Sequence, residues 1–356
     1  MKITKSLPEP SAFALEHSQK LQQCIYSEIE SQQGSISFRR YMEMALYEPG
    51  LGYYVAGKRK LGEGGDFITA PEVSPLFSQC IANQCIQILE SLDNRNILEF
   101  GAGSGTMAAD ILLHLEVKNC LPDQYYILDL SPELKALQRT TLEARCPHLL
   151  PLVKWLSTLP NNPFSGVILA NEVLDAMPVE MFQVSANTVY QKRVAINDDN
   201  IFSLIDKEPQ SEGAFESDFN QVTHGTTISA DYGSGSSSEY SSEFNPNINT
   251  WVKQLESTLE QGLILLIDYG YTRSEYYHPD RDAGTLICHY QHLVHNDFFW
   301  HPGLQDITAN VDFTHVAEAA DNSGLIISGF TSQAAFLTGC GLEDLFVDQL
   351  NQHPDQ

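Results

Sequence analysis

Three glycines at every second position, Gly101, Gly103 and Gly105, lie between the apolar run ILEF and a segment whose apolar residues repeat at helical spacing. This order predicts a buried strand, a turn and a helix. Glycine lets the backbone approach a ligand closely, and the free amides in the first turn of a helix can bind it. The turn could therefore bind a nucleotide-like cofactor, with a plain structural connection as the alternative.

The glycine spacing does not match a dinucleotide fingerprint, whose third glycine would occupy the position of Thr106. Together with Glu99, the glycines resemble instead the first motif of class I S-adenosylmethionine-dependent methyltransferases. A second predicted strand ends at Asp129, whose carboxylate is well placed to accept hydrogen bonds from ribose hydroxyls. We assign to the cofactor site Glu99, Gly101, Gly103, Gly105 and Asp129.

Two further acids follow a predicted strand at residues 166–170. Asn171 and Glu172 come directly after this strand, and Asp175 lies three positions beyond Glu172. The carboxyl ends of the strands line the ligand crevice in an open α/β sheet. We therefore predict that Glu172 and Asp175 are catalytic and that Asn171 binds cofactor, with capping of a following helix as the alternative.

The stretch GDFITAPEVSP, residues 65–75, combines charge, hydroxyl and proline just before a predicted helix. Asp66, Thr69 and Glu72 could all be ligands from this loop, and we assign Asp66 and Thr69 to the cofactor site. Glu72 and Ser74 could equally cap the helix that follows. The residue types alone leave both interpretations open.

The composition limits the classes of partner. The chain has 356 residues, enough for one large α/β domain with additions or for two smaller domains. With 46 acidic against 20 basic residues, its net charge of −26 argues against a nucleic-acid or anionic-membrane surface. An acidic surface suits a basic partner, although the charge could serve solubility alone.

Cysteine and histidine usage points to a chain without disulfides or metal. Seven scattered cysteines without a CxxC pair are typical of reduced thiols in a cytoplasmic protein. Residues 276–301 hold five histidines but no HxH or HExxH pattern, so we predict a lid or substrate loop there rather than a metal site. No signal peptide, transit peptide or membrane-spanning run is recognised, so we expect a soluble, cytoplasmic chain.

Hydrophobic periodicity predicts an α/β fold in three parts. These are an N-terminal helical segment at 1–64, a cofactor domain at 65–181 and 249–356, and an inserted segment at 182–248 with antiparallel strands and a low-complexity loop at 232–242. The predicted helices are 11–32, 37–46, 76–92, 107–115, 132–144, 249–260 and 314–322. The predicted strands that follow the first one in the chain are 125–128, 152–156, 166–170, 263–267 and 325–330.

A set of longer motifs carries a family resemblance over nearly the whole chain. The sequence resembles the MidA-type family, class I methyltransferases related to a mitochondrial complex I assembly factor that methylates arginine. The motifs are LYEPGLGYY (46–54), GDFITAPEVSP (65–75), LEFGAGSGT (98–106), LDLSPELK (128–135), ANEVLDAMPV (170–179), LLIDYGY (265–271), GTLICHYQH (284–292) and QDITANVDFT (305–314).

The resemblance implies a Rossmann-like sheet with added segments, S-adenosyl-L-methionine as cofactor, and methylation of an arginine on a protein such as a respiratory complex I subunit. We hypothesise that Glu172 and Asp175 hold the guanidinium group while Asp66 and Glu72 help to close the site. An assembly protein that binds cofactor with little turnover is the rival, and a small-molecule methyltransferase is a third interpretation.

One feature departs from the family. Its members run on to a Met-Gly-Glu and Phe-Lys segment that supplies the last antiparallel strand of the sheet, and no such segment occurs before Gln356. We therefore expect the sheet to lack that strand.

Overall fold

The computed structural model describes residues 7–56, 69–185, 188–209, 214–223 and 239–352. The helices are α1 (Ala12–Ser31), α2 (Phe38–Tyr47), α3 (Ala70–Val73), α4 (Pro75–Leu89), α5 (Thr106–Val117), α6 (Pro132–Arg145), α7 (Ala214–Thr223), α8 (Ile248–Thr258), α9 (Arg273–Tyr276), α10 (Phe313–Asn322), α11 (Gln333–Gly339) and α12 (Leu342–Gln352), with a 3₁₀ turn at Pro147–Leu152. The strands are β1 (Ser35–Ser37), β2 (Asn96–Phe100), β3 (Gln124–Leu128), β4 (Val153–Leu156), β5 (Phe164–Asn171), β6 (Glu180–Ser185), β7 (Thr188–Ile196), β8 (Phe202–Lys207), β9 (Glu239–Phe244), β10 (Leu259–Ile267), β11 (Gly270–Tyr271), β12 (Ile287–Tyr290), β13 (Leu293–His295), β14 (Asp306–Thr308) and β15 (Val311–Asp312).

The chain divides into two compact units, each built from three separate stretches of sequence. Unit 1 consists of Met1–Ala56, Leu174–Trp251 and Asp268–Ala319, and unit 2 of Gly57–Val173, Val252–Ile267 and Ala320–Gln356. This division differs from the predicted domain boundaries. The N-terminal segment and the inserted strands fall into the same unit because β1 pairs with β7, with Ile36 opposite Val194.

Unit 2 contains a parallel sheet of five strands in the order β10-β5-β2-β3-β4. Its core strands carry nearly continuous apolar runs, as expected where both faces of a parallel sheet are covered. Ile97, Ile127 and Val167, from three adjacent strands, are fully buried. The Rossmann-like α/β sheet predicted from the sequence is confirmed, and all seven predicted helices of the chain form.

The helices of unit 2 begin where local signals place them. Pro75 occupies the first position of α4, and Ser74 caps this helix by accepting a hydrogen bond from the Leu76 amide at 3.2 Å. The capping interpretation is therefore correct for Ser74. Helix α5 begins at Thr106, directly after the glycine turn.

One predicted strand of unit 2 does not form. Residues 325–330 belong to no sheet, and Ile326 is 89% exposed. A strand needs a neighbouring strand that satisfies its backbone hydrogen-bonding groups. Within the described ranges, no strand pairs with residues 325–330. Strand β10 pairs only with β5 among the described residues, so the described sheet ends at this strand.

Unit 1 is built around an antiparallel sheet in which β7 lies between β1 and β6, β9 follows β6, and β8 also pairs with β7. The antiparallel strands predicted after residue 181 are thus present, but Ala214–Thr223 forms helix α7 rather than a strand. The predicted loop is also wrong for residues 239–242, which belong to β9. Tyr240 of that strand is buried opposite Val184, whereas residues 232–238 lie outside the described part of the chain.

The aromatic, histidine-containing stretch is attached to α2 of the same unit by ring contacts. Phe298 and Phe299 pack on Phe38 and Tyr41 with centroid distances of 5.5 and 5.1 Å. Strand β12 pairs with β13 and with β14 in a small antiparallel sheet. Among the described residues, no helix is long and apolar enough to cross a membrane.

Candidate active site

The glycine turn of unit 2 has the backbone that its sequence requires. Gly101, Gly103 and Gly105 all have positive φ angles, of 57°, 55° and 86°. A Cβ at Gly105 would lie 2.9 Å from Cα of Gln138, so no other residue fits there without displacing α6. The amide of Gly101 donates to the Leu128 carbonyl at 3.0 Å and thereby ties the turn to the end of β3.

Asp129, the predicted ribose ligand, is fixed beside this turn. Its Oδ1 accepts from the Ser131 amide at 2.9 Å, and its Oδ2 accepts from Nε2 of Gln138 at 2.7 Å. The same Gln138 nitrogen donates to the Gly103 carbonyl at 3.2 Å. Burial raises the pKa of Asp129, and these hydrogen bonds oppose the rise. One amide side chain therefore holds the acid and the glycine turn in a fixed relation.

Glu99 lies in the protein core and not on the surface of the glycine turn. It is fully buried in β2, and Oε2 accepts a hydrogen bond from the Tyr125 hydroxyl at 2.7 Å. Burial raises the pKa of this carboxyl to about 7, although the hydrogen bond from Tyr125 acts in the opposite direction. Its other oxygen has no hydrogen-bond partner among the described residues. The structure places Glu99 in the core beneath the turn.

The loop before α4 reaches the glycine turn through Glu72. Its carboxylate accepts a hydrogen bond from the Ser104 hydroxyl, which also contacts Oγ1 of Thr106 at 2.7 Å. Thr69 immediately precedes α3, and its side chain makes no capping hydrogen bond. Asp66 lies outside the described residues. Of the two interpretations of this loop, Glu72 thus fits contact with the cofactor turn and Ser74 fits capping.

Glu172 has an unusual backbone conformation at the carboxyl end of β5. Its φ of 50° is in the left-handed region, which costs a non-glycine residue about 1–3 kcal/mol. Its amide donates to the Ile267 carbonyl at 2.8 Å. The preceding Asn171 has a buried Oδ1 without a hydrogen-bond partner in the described ranges. Strained residues of this kind concentrate at functional sites.

No helix begins between Asp175 and β6, so the capping alternative for Glu172 and Asp175 is wrong. The chain makes a turn, in which the Met177 amide donates to the Leu174 carbonyl at 3.2 Å, and then enters β6.

Asp175 belongs to a buried acidic network in unit 1. The Tyr269 hydroxyl donates to Oδ2 of Asp175. The amides of Leu174 and Asp175 donate to Oδ2 of Asp268 at 3.0 and 3.2 Å. Burial raises the pKa of both carboxyls, and the charge of Asp175 raises that of Asp268 further. The two acids cannot both ionise as readily as exposed carboxyls.

Asp306, another acid of unit 1, accepts a hydrogen bond from a tyrosine. The Tyr54 hydroxyl donates to Oδ2 of Asp306 at 2.8 Å, and the Tyr54 ring stacks on Tyr47 at a centroid distance of 5.5 Å. Sequence analysis did not assign Tyr54, Asp268, Tyr269 or Asp306 to the site. The rule that residues after the carboxyl ends of strands line the site, applied to β10, would have found Asp268 and Tyr269.

The described residues contain no cluster of three or more histidine, cysteine, aspartate or glutamate side chains arranged for a metal ion.

Comparison with known proteins decides the family. A sequence model described as "Putative S-adenosyl-L-methionine-dependent methyltransferase" matches residues 80–331, which is more than half of the chain. The chain belongs to this methyltransferase family. A protein from Burkholderia thailandensis, solved with S-adenosyl-homocysteine bound, is 40% identical to the methyltransferase, with a TM-score of 0.88 over 98% of this chain and 88% of the other.

More distant relatives carry a more specific name. "Protein arginine methyltransferase NDUFAF7, mitochondrial" from Danio rerio is 28% identical over 337 residues, which cover 87% of this chain and 74% of the relative. The Drosophila melanogaster homologue is 28% identical over 366 residues, covering 95% of the methyltransferase and 78% of the relative.

The residues of unit 2 fit S-adenosyl-L-methionine as the cofactor. A side chain at Gly105 would not fit against α6, the Asp129 carboxylate is fixed beside the turn, and Asn171 offers a buried oxygen with no other partner in the described chain. A nucleoside cofactor needs a turn that its atoms can approach closely and oxygen acceptors for its ribose hydroxyls and other donor groups. The individual roles of these residues remain predictions.

Proposed function

We propose that the methyltransferase modifies an arginine side chain of a protein partner. The observation that carries this proposal is Asp175, a buried carboxylate that follows β5 in the chain. Its environment raises its pKa, and no lysine or arginine side chain pairs with it in the described structure. The names of the relatives from Danio rerio and Drosophila melanogaster support the choice of arginine.

The cofactor supplies a methyl group on a positively charged sulfur. The acceptor nitrogen forms its bond to this methyl as the carbon–sulfur bond breaks and sulfur keeps the electron pair, and the nitrogen gives up one proton. Most of the acceleration can come from holding the acceptor in line with that bond.

A guanidinium group presents a planar fork of donors that carboxylates hold in pairs. In our proposal Asp175 is one such carboxylate, and Glu172 keeps the catalytic role predicted from the sequence. Gripping the fork orients one nitrogen toward the methyl group. A carboxyl with a raised pKa is also a better acceptor for the released proton, which suits Asp175.

The charge of the chain supports a basic protein substrate. With a net charge of −26, the methyltransferase attracts positively charged partners over the length scale of electrostatic steering. A subunit of a respiratory complex, complex I in particular, is the substrate that the family resemblance suggests. We include it in the proposal as the first candidate.

Methyl transfer from radiolabelled S-adenosyl-L-methionine to purified complex I subunits tests this function. We expect label in methylarginine after complete hydrolysis, and a loss of turnover in Glu172→Gln without loss of cofactor affinity. Glu260→Gln, an exposed acid of β10, is the matched control.

Unchanged turnover in Glu172→Gln would remove this residue from the mechanism. Label in lysine, or only in small molecules, would contradict the arginine assignment. Cofactor binding without transfer to any subunit would favour the assembly-protein interpretation.

A further inference from the structure

Three acidic residues of unit 1 act on two tyrosines in this network: Asp175 and Asp268 on Tyr269, and Asp306 and Asp175 on Tyr54. Asp306 and Thr308 are two positions apart in β14, so their side chains share one face of that strand. The amide of Ala309, the next residue, donates to the Asp175 carbonyl at 2.9 Å. The end of β14 is therefore fixed against the segment that carries Asp175.

One polar atom in this network, Oδ1 of Asp175, has no hydrogen-bond partner among the described residues, and Asp175 is only 5% exposed. Burial and the charge of Asp175 raise the pKa of the Tyr269 phenol, and a hydrogen bond with the Thr308 hydroxyl lowers it. Thr308 itself is only 3% exposed. Buried polar groups are almost always satisfied in native proteins. The open position on Asp175 points to a bound ligand.

The tyrosine rings of this network are partly accessible to solvent. Tyr269 is 41% exposed, and the stacked rings of Tyr47 and Tyr54 are half-buried. Burial and then the charges of Asp306 and Asp175 raise the pKa of Tyr54, so both acids lie close to this ring. A ligand that contacts Asp175 would therefore meet tyrosine rings as well as carboxylates.

We propose that Asp175, Thr308 and Tyr269, together with the Tyr54–Asp306 pair, bind the guanidinium group of the acceptor arginine. This inference rests on the proposed function and specifies which residues select the substrate. The open oxygen of Asp175 and the lone pairs of the Thr308 hydroxyl accept N–H bonds from the planar fork. The tyrosine rings contact its face, an arrangement that attracts guanidinium groups.

The same geometry selects against lysine. An ammonium is a compact point charge that cannot bridge two acceptors in one plane or stack on a ring in the manner of a guanidinium. Asp268 contributes as a positioning residue, because it accepts the amides of Leu174 and Asp175 and so orients the Asp175 side chain.

Binding of blocked amino acids separates this inference from methyl transfer. The probes are N-acetyl-arginine amide, its lysine counterpart and its neutral citrulline counterpart, titrated by calorimetry with S-adenosyl-homocysteine present. We expect the arginine probe to bind at least ~10-fold more tightly than the other two, because charged hydrogen bonds are lost in citrulline and the planar fork in lysine.

Two substitutions locate the site. Thr308→Val should weaken the arginine probe roughly 3- to 10-fold, as expected for one hydrogen bond, and Asp175→Asn roughly 10- to 100-fold, as expected for a charged one. Thr223→Val is the matched control, since Thr223 is buried in the same unit and its hydroxyl bonds to the Phe219 carbonyl. Unchanged affinity for S-adenosyl-homocysteine shows that each variant remains folded.

Equal binding of the three probes, no binding of the arginine probe, or equal effects of Thr308→Val and Thr223→Val would each overturn the inference. If the arginine probe binds as expected but no protein is methylated, the proposed function fails and the guanidinium site stands. If arginine is methylated while Asp175→Asn and Thr308→Val bind the probe normally, arginine methylation stands, but the guanidinium site and the role given to Asp175 in the mechanism both fail.

Discussion

Asp129 of unit 2 and Asp175 of unit 1 are both buried carboxylates whose pKa is raised by burial, yet their surroundings differ. Both oxygens of Asp129 accept hydrogen bonds from residues within the same chain segment, Ser131 and Gln138. One oxygen of Asp175 is held by Tyr269, and the other has no partner in the described ranges.

The difference shows how each acid can act. Asp129 is fixed in place and can offer only its remaining lone pairs, which suits recognition of neutral ribose hydroxyls. Asp175 retains an open acceptor in a buried setting, where a cation contributes more than a neutral group does. The comparison predicts that substitutions in unit 2 affect cofactor binding and stability, and that substitutions around Asp175 affect the acceptor.

The largest expected effect concerns a third buried carboxyl, Glu99. Its pKa is about 7 in the folded state, against 4.5 in the unfolded chain. The folded protein therefore holds a proton more tightly than the unfolded chain between these values, and stability falls as pH rises from about 4.5 to about 7. The shift corresponds to ~3 kcal/mol.

Glu99→Gln removes this charge and keeps an acceptor for Tyr125. Urea unfolding at pH 5 and pH 8 should show that the variant gains up to ~3 kcal/mol over the wild type at the higher pH. Tyr125→Phe is the opposite control, since it removes the hydrogen bond that lowers the pKa of Glu99 and should steepen the decline. A pH-independent difference between Glu99→Gln and wild type would contradict the burial argument.

The next effect concerns the glycine turn. Gly105→Ala should weaken S-adenosyl-homocysteine about 30-fold, because the left-handed conformation costs alanine roughly 1–2 kcal/mol and its Cβ displaces Gln138. Equilibrium binding measures this loss. Gly329→Ala is the matched control in unit 2, since a Cβ there has no neighbour within 4 Å. We expect the arginine probe to bind Gly105→Ala as it binds the wild type.

The sequence predicted the local structure around the glycine turn of unit 2 better than the surroundings of Asp175 in unit 1. The glycine turn and Asp129 depend on signals within one stretch of chain, and the parallel strands carry long apolar runs. Apolar residues 325–330 also read as a strand, but no strand pairs with them among the described residues. Periodicity predicts which segments can be strands and not whether a neighbour is present.

The surroundings of Asp175 combine segments that are far apart in sequence. Tyr269 lies 94 positions from Asp175, and Tyr54 lies 252 positions from Asp306. The strand-end rule can indicate Asp268 and Tyr269 one by one, but no local pattern indicates which distant residues pair. The pairing of β1 with β7 likewise joins segments that are distant in sequence.

The smallest effect tests whether the two acids of unit 1 share one charge. Asp268→Asn keeps an oxygen that can accept the amides of Leu174 and Asp175 but removes a neighbouring negative charge. The pKa of Asp268 is raised further than that of Asp175, because the charge of Asp175 acts on it, so Asp175 ionises first while Asp268 is still neutral. Since the arginine probe needs ionised Asp175, the pH at which its affinity is half-maximal should stay unchanged in Asp268→Asn. Asp321→Asn, an exposed acid of α10, is the control and should also leave that pH unchanged. A downward shift in Asp268→Asn alone would mean that Asp268 ionises first and holds the proton on Asp175, and a shift in both variants would reflect the overall charge of the chain.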